Sequence, residues 1–178
     1  MKIFILRHED RDINDPLFYS PLTDKGMIGA NNLVNKLKLL NISNIYASPF
    51  LRVVQTIYPY CEENNKKINI DNSLYESLDN NLFNETNSRF TWKDLPNTYK
   101  SIINKEYQSI GNIPKLNESF RDVCIRVIPF IQMCIKQNEN ILIVSHLTVC
   151  NAIQNYFDNT IENKNEIEMG EFKEISIN

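Results

Sequence analysis

Residues 141–146 read Ile-Leu-Ile-Val-Ser-His, and this stretch decides the fold. Its first four residues are all apolar and three of them are β-branched, which predicts a strand buried on both faces. Strands of this kind lie near the centre of parallel sheets whose two faces are covered by helices. We therefore expect an α/β fold with this strand in a central position.

The segments on either side alternate between strand and helix patterns. Further strands are expected at residues 2–6, 44–47, 68–70 and 171–177. Apolar residues at helical spacing predict helices at residues 23–40, 51–61, 118–136 and 149–157. Pro59 is expected to kink or end the second of these helices, and Pro129 to kink the third. The alternation predicts an α/β three-layer sandwich with a largely parallel central sheet.

Residues 79–115 interrupt the alternation. They show no sustained period and are rich in Asn, Ser and aromatic residues, so we expect at most short helices there. Loops of this length are more often functional than idle, and we interpret this one as an insertion over the sheet edge. The chain has 178 residues without a linker or repeat, which predicts one domain over residues 1–178.

Composition argues against several classes of protein. Hydrophobic residues make up 42% of the chain, yet no apolar run approaches the roughly 20 residues of a membrane span. A net charge of −3 lacks the basic face of a nucleic-acid binder. The first ten residues lack the pattern of a secretory signal, and four cysteines without a CxxC pair are typical of buried thiols in a reducing compartment. We expect a cytoplasmic protein without a membrane or nucleic-acid partner.

Residues whose side chains can react or bind a ligand follow three of the predicted strands. Arg7 and His8 follow the first strand, Arg52 follows the second, and His146 follows the strand at residues 141–144. Ligands of parallel sheets bind beyond the carboxyl ends of the strands, so these side chains are expected to converge. Guanidinium groups bind phosphate oxygens bidentately, and their charge keeps a nearby imidazole neutral and able to attack. The pattern predicts a site for phosphoryl transfer.

Structural explanations exist for each of these residues alone. Arg7 and His8 suit a surface pair, His146 suits a histidine that caps a helix, and Arg52 suits a solvated helix position. A metal site on His8 and the acidic residues at 9 and 10 is a further interpretation, although neighbours on an extended chain seldom point to one centre. Joint placement at three strand ends favours the phosphate site.

The motifs around these residues resemble the histidine phosphatase superfamily, in its phosphoglycerate-mutase-like branch. They occur in the family's order as LRH at 6–8, SPLTDKG at 20–26, YASPFLRVVQT at 46–56 and IVSH at 143–146. The most specific piece is S-P-x-x-R-x-x-Q-T at 48–56, and the resemblance covers most of the chain. It implies a phosphoglycerate-mutase-like fold, no cofactor and no metal, with the insertion at about 79–115 lying over the active site.

The resemblance implies a role for each residue that matches the family's motifs. His8 is the implied nucleophile, forming a phosphohistidine. Arg7, Arg52 and His146 are implied to bind the transferring phosphoryl group and stabilise its charge. Asn14, six residues after His8, stands where several relatives have an Asn that contacts the phosphate.

The proton donor to the leaving group is implied to be Glu76, because the segment Leu-Tyr-Glu at 74–76 resembles the one that carries the donor in this branch. Glu85 and Glu9 are alternative donors. Relatives usually have Gly directly after the nucleophilic histidine, where this chain has Glu9. We therefore expect the Glu9 side chain to crowd the pocket or to place a negative charge near the phosphate.

A local likeness to TULA (Sts) proteins and ecdysteroid-phosphate phosphatases comes from the pair Asp10-Arg11, and implies that Arg11 contacts the phosphate or the group that it esterifies. The implied activity is that of a metal-independent phosphomonoesterase, a histidine acid-type phosphatase. Its partner would be a small phosphorylated substrate or a phosphotyrosine peptide. The alternatives are phosphoglycerate mutase-type phosphotransfer and a catalytically weak protein that binds a phospho-ligand.

Overall fold

The computed structural model describes residues 1–81, 83–84, 89–158 and 167–177. The strands are β1 (Lys2–Arg7), β2 (Asn44–Ala47), β3 (Asn69–Ile70), β4 (Ile141–Ser145) and β5 (Phe172–Ser176). The α-helices are α1 (Asp24–Lys38), α2 (Leu51–Glu63), α3 (Asn97–Lys100), α4 (Phe120–Gln137) and α5 (Leu147–Asp158). Two short 3₁₀ turns cover Asn72–Leu74 and Trp92–Asp94.

The described residues form one five-stranded sheet in the order β3-β2-β4-β1-β5. β4 pairs in parallel with β1 on one side and with β2 on the other, and β5 runs antiparallel to β1 at the edge. Every residue of β4 is buried, as its apolar sequence predicts. A largely parallel sheet with β4 inside it is thereby confirmed.

Helices cover both faces of the sheet. Successive side chains of a strand point to opposite faces, so Phe4 and Leu6 of β1 join the cluster that contains α1 and α2. Ile3 and Ile5 join the cluster that contains α4 and α5. The three-layer α/β sandwich predicted from the sequence is confirmed.

Neither proline ends its helix. α2 continues past Pro59 to Glu63, and α4 continues past Pro129 to Gln137. An interior proline costs a helix about 3 kcal/mol, and buried side chains on both sides of each proline offset this cost by packing on the sheet. Pro59 was expected to kink or end α2, and the expectation that it ends the helix is therefore wrong. α5 begins at Leu147, two residues before the predicted start.

The segment at 79–115 packs beside the short strand β3. The Ile68 N–H donates to the Ile102 carbonyl at 2.8 Å, and the Ile68 carbonyl accepts from the Asn104 N–H at 2.9 Å. α3 has only four residues, so the expectation of short helices is confirmed for the described residues. Residues 82 and 85–88, which belong to the predicted insertion, lie outside the described residues.

All four cysteines are free, and Cys61, Cys134 and Cys150 are buried, as expected for structural thiols. Among the helices that the structure describes, none has the length and apolar character needed to cross a membrane.

Candidate active site

The carboxyl ends of β1, β2 and β4 meet at one edge of the sheet and bring both histidines together. The parallel register places Arg7 opposite Ser145, and the His8 N–H donates to the Ser145 carbonyl at 2.9 Å. The ring centroids of His8 and His146 are 5.4 Å apart, at an angle of 66°. Arg52, in the first turn of α2, places Nη2 3.2 Å from His146 Nδ1. The structure thus brings these predicted residues into one cluster.

His8 is held as a neutral imidazole with one free nitrogen. Its Nδ1 lies 2.8 Å from the Glu9 carbonyl. A carbonyl oxygen only accepts hydrogen bonds, so Nδ1 carries the proton and Nε2 keeps its lone pair. Burial, together with the charges of Arg52, Arg7 and Arg11, lowers the pKa of His8 to about 3. This side chain is therefore neutral at physiological pH and suited to attack an electrophile through Nε2.

Arg52 is fully buried at the centre of the cluster. Its Nη1 donates to the Leu17 carbonyl at 2.9 Å and to the Pro16 carbonyl at 3.3 Å, and its Cζ lies 4.6 Å from the centroid of the Phe50 ring. Burial lowers the pKa of Arg52 to about 10, which leaves the guanidinium charged at neutral pH. The contacts fix the plane of the guanidinium before any ligand binds.

Two buried guanidinium donors have no acceptor among the described residues. They are the Nε–H groups of Arg7 and Arg52. Arg7 Nη1 is already used, since it donates to the Ile167 carbonyl at 3.0 Å. Buried donors are almost always paired in folded proteins, so two unpaired ones beside His8 form a site whose chemistry fits a multidentate anion such as a phosphoryl group.

His146 is also neutral and is fixed from both sides. A guanidinium only donates, so Nδ1 accepts from Arg52 Nη2 and the Nε2–H group donates to Ser48 Oγ, 2.9 Å away. Its ring packs edge-on against Phe50 with centroids 4.8 Å apart. Burial, followed by the charge of Arg52, lowers the pKa of His146 well below its ordinary value.

Glu76 is the carboxyl group that joins this cluster. Its Oε2 lies 3.2 Å from His146 Nδ1 and 3.6 Å from Arg52 Nη2, and its side chain is 18% exposed. Burial raises the pKa of Glu76, and the nearby Arg52 charge opposes that rise. A carboxyl that holds its proton above the ordinary range, at the edge of an anion site, has the properties of a general acid. The alternative donor Glu85 lies outside the described residues.

Arg11 and Asn14 differ in their relation to the cluster. The charge of Arg11 contributes to lowering the pKa of His8 and of His146, and its Nη1 donates to the Asp12 carbonyl at 2.6 Å and the Asp15 carbonyl at 3.2 Å. Asn14 is exposed in the same loop, and its backbone N–H donates to Asp12 Oδ1 at 2.9 Å. In the described part of the chain, nothing brings the Asn14 side chain to the histidines.

Comparison with known proteins places this geometry in a family. Residues 13–176 match the model described as "Histidine phosphatase superfamily (branch 1)". The chain belongs to the histidine phosphatase superfamily. The match begins after Arg7 and His8, so the interpretation of these two residues depends on the geometry given above.

The proteins that this chain resembles are named as mutases and as phosphatases. A 2,3-bisphosphoglycerate-dependent phosphoglycerate mutase of Thermoplasma acidophilum is 37% identical over 83 residues, which is 43% of this chain and 42% of that protein. The solved structure of Bacillus stearothermophilus YhfR has a TM-score of 0.73 at 21% identity, covering 99% of this chain and 91% of that one. The ecdysone phosphate phosphatase of Bombix mori, solved with tungstate, has a TM-score of 0.67 at 15% identity, covering 97% and 88%. At such identities the structures share the fold alone, and the TULA-like interpretation stays a prediction.

Glu9 does not crowd the space between the two histidines. A methyl group built on Gly29 of α1 would lie 2.4 Å from Glu9 Cδ, and one built on Gly170 would also lie 2.4 Å from it. The Glu9 side chain therefore fills space between α1 and the turn before β5, which the two glycines leave open. The expectation that Glu9 crowds the pocket is wrong, because the extended chain after His8 directs the two side chains to different sides.

The acidic residues after His8 also form no metal site with it. Asp10 Oδ2 accepts from Thr23 Oγ1 at 2.6 Å at the start of α1, and Glu9 packs on the two glycines. Within the described ranges, no group of three His, Cys, Asp or Glu side chains has the arrangement to hold a metal ion. The three neighbouring side chains diverge, as expected for an extended chain.

Two residues of the S-P-x-x-R-x-x-Q-T motif that were given no role support the cluster. Ser48 binds His146 as described, and Thr56 Oγ1 donates to the Arg52 carbonyl at 2.8 Å while accepting from the Glu9 N–H at 2.9 Å. Thr56 thus ties the chain after His8 to the helix that carries Arg52. The spacing of four residues from 52 to 56 was the available signal for Thr56, since it places these two side chains on successive turns of α2. Ser48 lies before the helix, and its spacing gave no such signal.

Arg126 positions the backbone that presents Glu76. Its Nη1 donates to the Ser73 carbonyl at 2.8 Å and the Tyr75 carbonyl at 3.1 Å, and its Nη2 pairs with Glu118 at 2.8 Å. Both partners of this ion pair are 9% exposed. Because two carbonyls of the segment before Glu76 and the Glu118 carboxylate all bind one guanidinium, Arg126 fixes where the Glu76 carboxyl lies.

Arg126→Lys is expected to lower the turnover of alkyl phosphates by about 10- to 100-fold, since a misplacement of about 1 Å is enough for such a loss. Lysine keeps the charge beside Glu118 but cannot span the two carbonyls. Formation of the enzyme adduct from p-nitrophenyl phosphate should change far less, because that leaving group hardly needs a proton. The matched control is Arg121→Lys on the exposed face of α4. Equal losses with both kinds of substrate would contradict a role through Glu76.

Proposed function

We propose that this histidine phosphatase is a phosphomonoesterase that works through a phosphohistidine on His8 and needs no metal ion. The observation that carries the proposal is the free Nε2 lone pair of His8 beside two buried guanidinium groups with unpaired Nε–H donors. Such an arrangement supplies a nucleophile and a preorganised anion site in one place.

The proposed reaction has two displacement steps. His8 Nε2 attacks phosphorus as the ester P–O bond breaks, and the leaving oxygen takes the proton of Glu76. Water then attacks the phosphohistidine, the Glu76 carboxylate accepts a proton from it, and the N–P bond breaks to give phosphate and neutral His8. Arg7 and Arg52 bind the equatorial oxygens and stabilise their charge during both steps. In this proposal the Nε2–H group of His146 exchanges Ser48 Oγ for one of these oxygens.

The proposed substrate is a small phosphorylated molecule or a phosphotyrosine peptide. Mutase-type phosphotransfer is the second candidate, because the matched protein of Thermoplasma acidophilum is named a phosphoglycerate mutase. In that reaction a second hydroxyl of the substrate takes the phosphoryl group from His8, where the phosphatase uses water.

Single turnover with a radiolabelled aryl phosphate in the presence of EDTA tests the proposal. We expect a stoichiometric adduct that is stable to base and labile to acid, as phosphoramidates are, and that is absent in His8→Ala. Turnover by His8→Ala should fall by at least about 10³-fold, since the nucleophile acts as a unit with its neighbours. An adduct that persists in this variant would reassign the nucleophile, and phosphate binding without turnover would favour a binding protein.

A further inference from the structure

The last part of the insertion packs on the short turn that leads to Glu76. This 3₁₀ turn, Asn72–Leu74, follows β3 and is capped by Asp71, whose Oδ1 accepts from the Ser73 N–H at 2.8 Å. The Asp71 side chain belongs to a fully buried residue. A buried carboxyl group is costly unless donors bind its oxygens, so Asp71 requires further donors from another segment.

Residues 107–111 of the insertion supply those donors. Asp71 Oδ2 accepts from the Tyr107 hydroxyl at 2.6 Å and from the Ile110 N–H at 2.8 Å. Its Oδ1 also accepts from the Gly111 N–H at 3.4 Å. One carboxyl group therefore binds the turn before Glu76 and the insertion at the same time.

The insertion approaches the turn closely because Gly111 has no side chain. A methyl group built on Gly111 would lie 2.4 Å from Ser73 Oγ, 2.6 Å from Ser73 N and 2.9 Å from Ser73 Cα. Two of these atoms belong to the backbone, so a change of rotamer at Ser73 cannot relieve the contact. A side chain at residue 111 would therefore push the turn and the insertion apart.

A displacement of the turn would reach the acid. Only Tyr75 separates the turn from Glu76, and both Leu74 and Tyr75 are fully buried. The Leu74 carbonyl accepts from Ser145 Oγ at 2.8 Å, which ties the turn to the strand that precedes His146. Because buried segments are closely packed and transmit strain, the Glu76 carboxyl would move relative to His146.

We propose that residues 107–111 position the general acid Glu76 through the Asp71 carboxyl group, so that the insertion is needed for proton transfer to the leaving group. Within the described residues, no hydrogen bond of this segment reaches Arg7, His8 or Arg52. The segment therefore acts on the acid and not on the nucleophile or the anion site. The proposal rests on the phosphatase function proposed above and deepens it.

Gly111→Ala tests the proposal with two substrates. It should lower kcat/KM for an alkyl phosphate by about 10- to 100-fold, since a misplacement of about 1 Å is enough for such a loss. The value for p-nitrophenyl phosphate should fall by less than about 3-fold, because that leaving group hardly needs a proton. A crystal structure of the variant should show the Glu76 carboxyl moved from its place beside His146 Nδ1.

The matched control is Asn104→Ala. The Asn104 side chain binds the insertion to β3 by donating to Asn69 Oδ1 at 2.8 Å, and it makes no hydrogen bond to the turn among the described residues. This variant should leave the ratio of the two kcat/KM values unchanged. It thus separates a loosened insertion from a displaced acid.

Tyr107→Phe is a milder second variant, which serves if Gly111→Ala does not fold. It removes one hydrogen bond to Asp71 and keeps the ring that packs on Tyr46, with centroids 5.6 Å apart. It should lower kcat/KM for the alkyl phosphate by about 3- to 10-fold, the usual value of one hydrogen bond.

Equal losses with both substrates in either variant, or an unmoved Glu76 carboxyl in the Gly111→Ala structure, would overturn the proposal. Absence of p-nitrophenyl phosphate turnover in the wild type would instead refute the phosphatase function. The position of Glu76 in the variant structure would then still decide whether the insertion positions this side chain.

Discussion

Glu76→Gln is expected to slow phosphoryl transfer from alkyl phosphates by about 10²–10⁴-fold, which is the usual contribution of a general acid. An alkyl alcohol leaves as a strongly basic alkoxide and needs its proton in the transition state, whereas p-nitrophenolate hardly does. The first step with p-nitrophenyl phosphate should therefore change far less. Glutamine has the shape of the protonated acid and can still lie beside His146, so the variant tests proton transfer rather than packing.

Burst kinetics provide the measurement, because the same carboxylate is proposed to activate water in the second step. The amplitude and rate of the burst isolate formation of the phosphohistidine, and the later steady state reports its hydrolysis. Equal effects of Glu76→Gln on the first step with both substrates, or no effect on either, would assign the donor to another carboxyl group. Glu85→Gln would be the next variant.

The pH dependence of the wild type follows from the same assignment. Burial raises the pKa of Glu76, so the rate with alkyl phosphates should fall as pH rises through that raised pKa and the acid loses its proton. On the acid side the limit is protonation of His8, whose pKa lies at about 3. The alkaline decline should be missing from the first step of Glu76→Gln, while the acid limit stays.

Arg52→Met is expected to lower kcat/KM by about 10²–10³-fold or more, the usual cost of removing a preorganised donor to a transition-state anion. The variant should also lose about 1–3 kcal/mol of stability, because the part-buried hydrogen bonds from the charged guanidinium to the Pro16 and Leu17 carbonyls would be lost. Since the Arg52 charge follows burial as a cause of the low pKa of His8, that pKa should rise in the variant.

Kinetics, thermal unfolding and an NMR titration of His8 together test this prediction. Arg52→Lys is the control that keeps the positive charge and removes the planar fork. It should recover much of the His8 pKa depression and little of the activity. An Arg52→Met enzyme with unchanged kcat/KM and unchanged inhibition by phosphate would contradict the role of Arg52 in the anion site.

The layers of the fold could be predicted because they depend on local patterns. A continuous apolar run gave the position of β4, and helical spacing of apolar residues gave the main helices on its two faces. The extent of α2 could not be predicted, because the proline rule concerns an isolated helix and the packing that carries the helix to Glu63 is tertiary. The start of α5 directly after His146 also depends on tertiary structure, because it is set by the place in the sheet where β4 ends.

In the site, residues at strand ends were predictable and residues that act through other segments were not. His8 and His146 follow strands whose carboxyl ends must meet in a parallel sheet. Arg126 lies in the middle of α4, and no local pattern relates it to the backbone at 73–75. Asn14 was predicted to contact the phosphate from the family resemblance alone, and in the structure this residue is exposed to solvent.

The packing of the Glu9 side chain makes residues 9, 29 and 170, which lie far apart in the sequence, depend on one another. A side chain at residue 9 fits because residues 29 and 170 carry none, and Gly170 in addition has a φ of +76° that favours glycine. A glutamate at residue 9 could arise only in a chain that already has glycine at residues 29 and 170, or together with those two glycines. Among homologues, residue 9 should co-vary with residue 29, so that a glycine after the histidine releases residue 29 to carry a side chain, whereas residue 170 should stay glycine because of its positive φ.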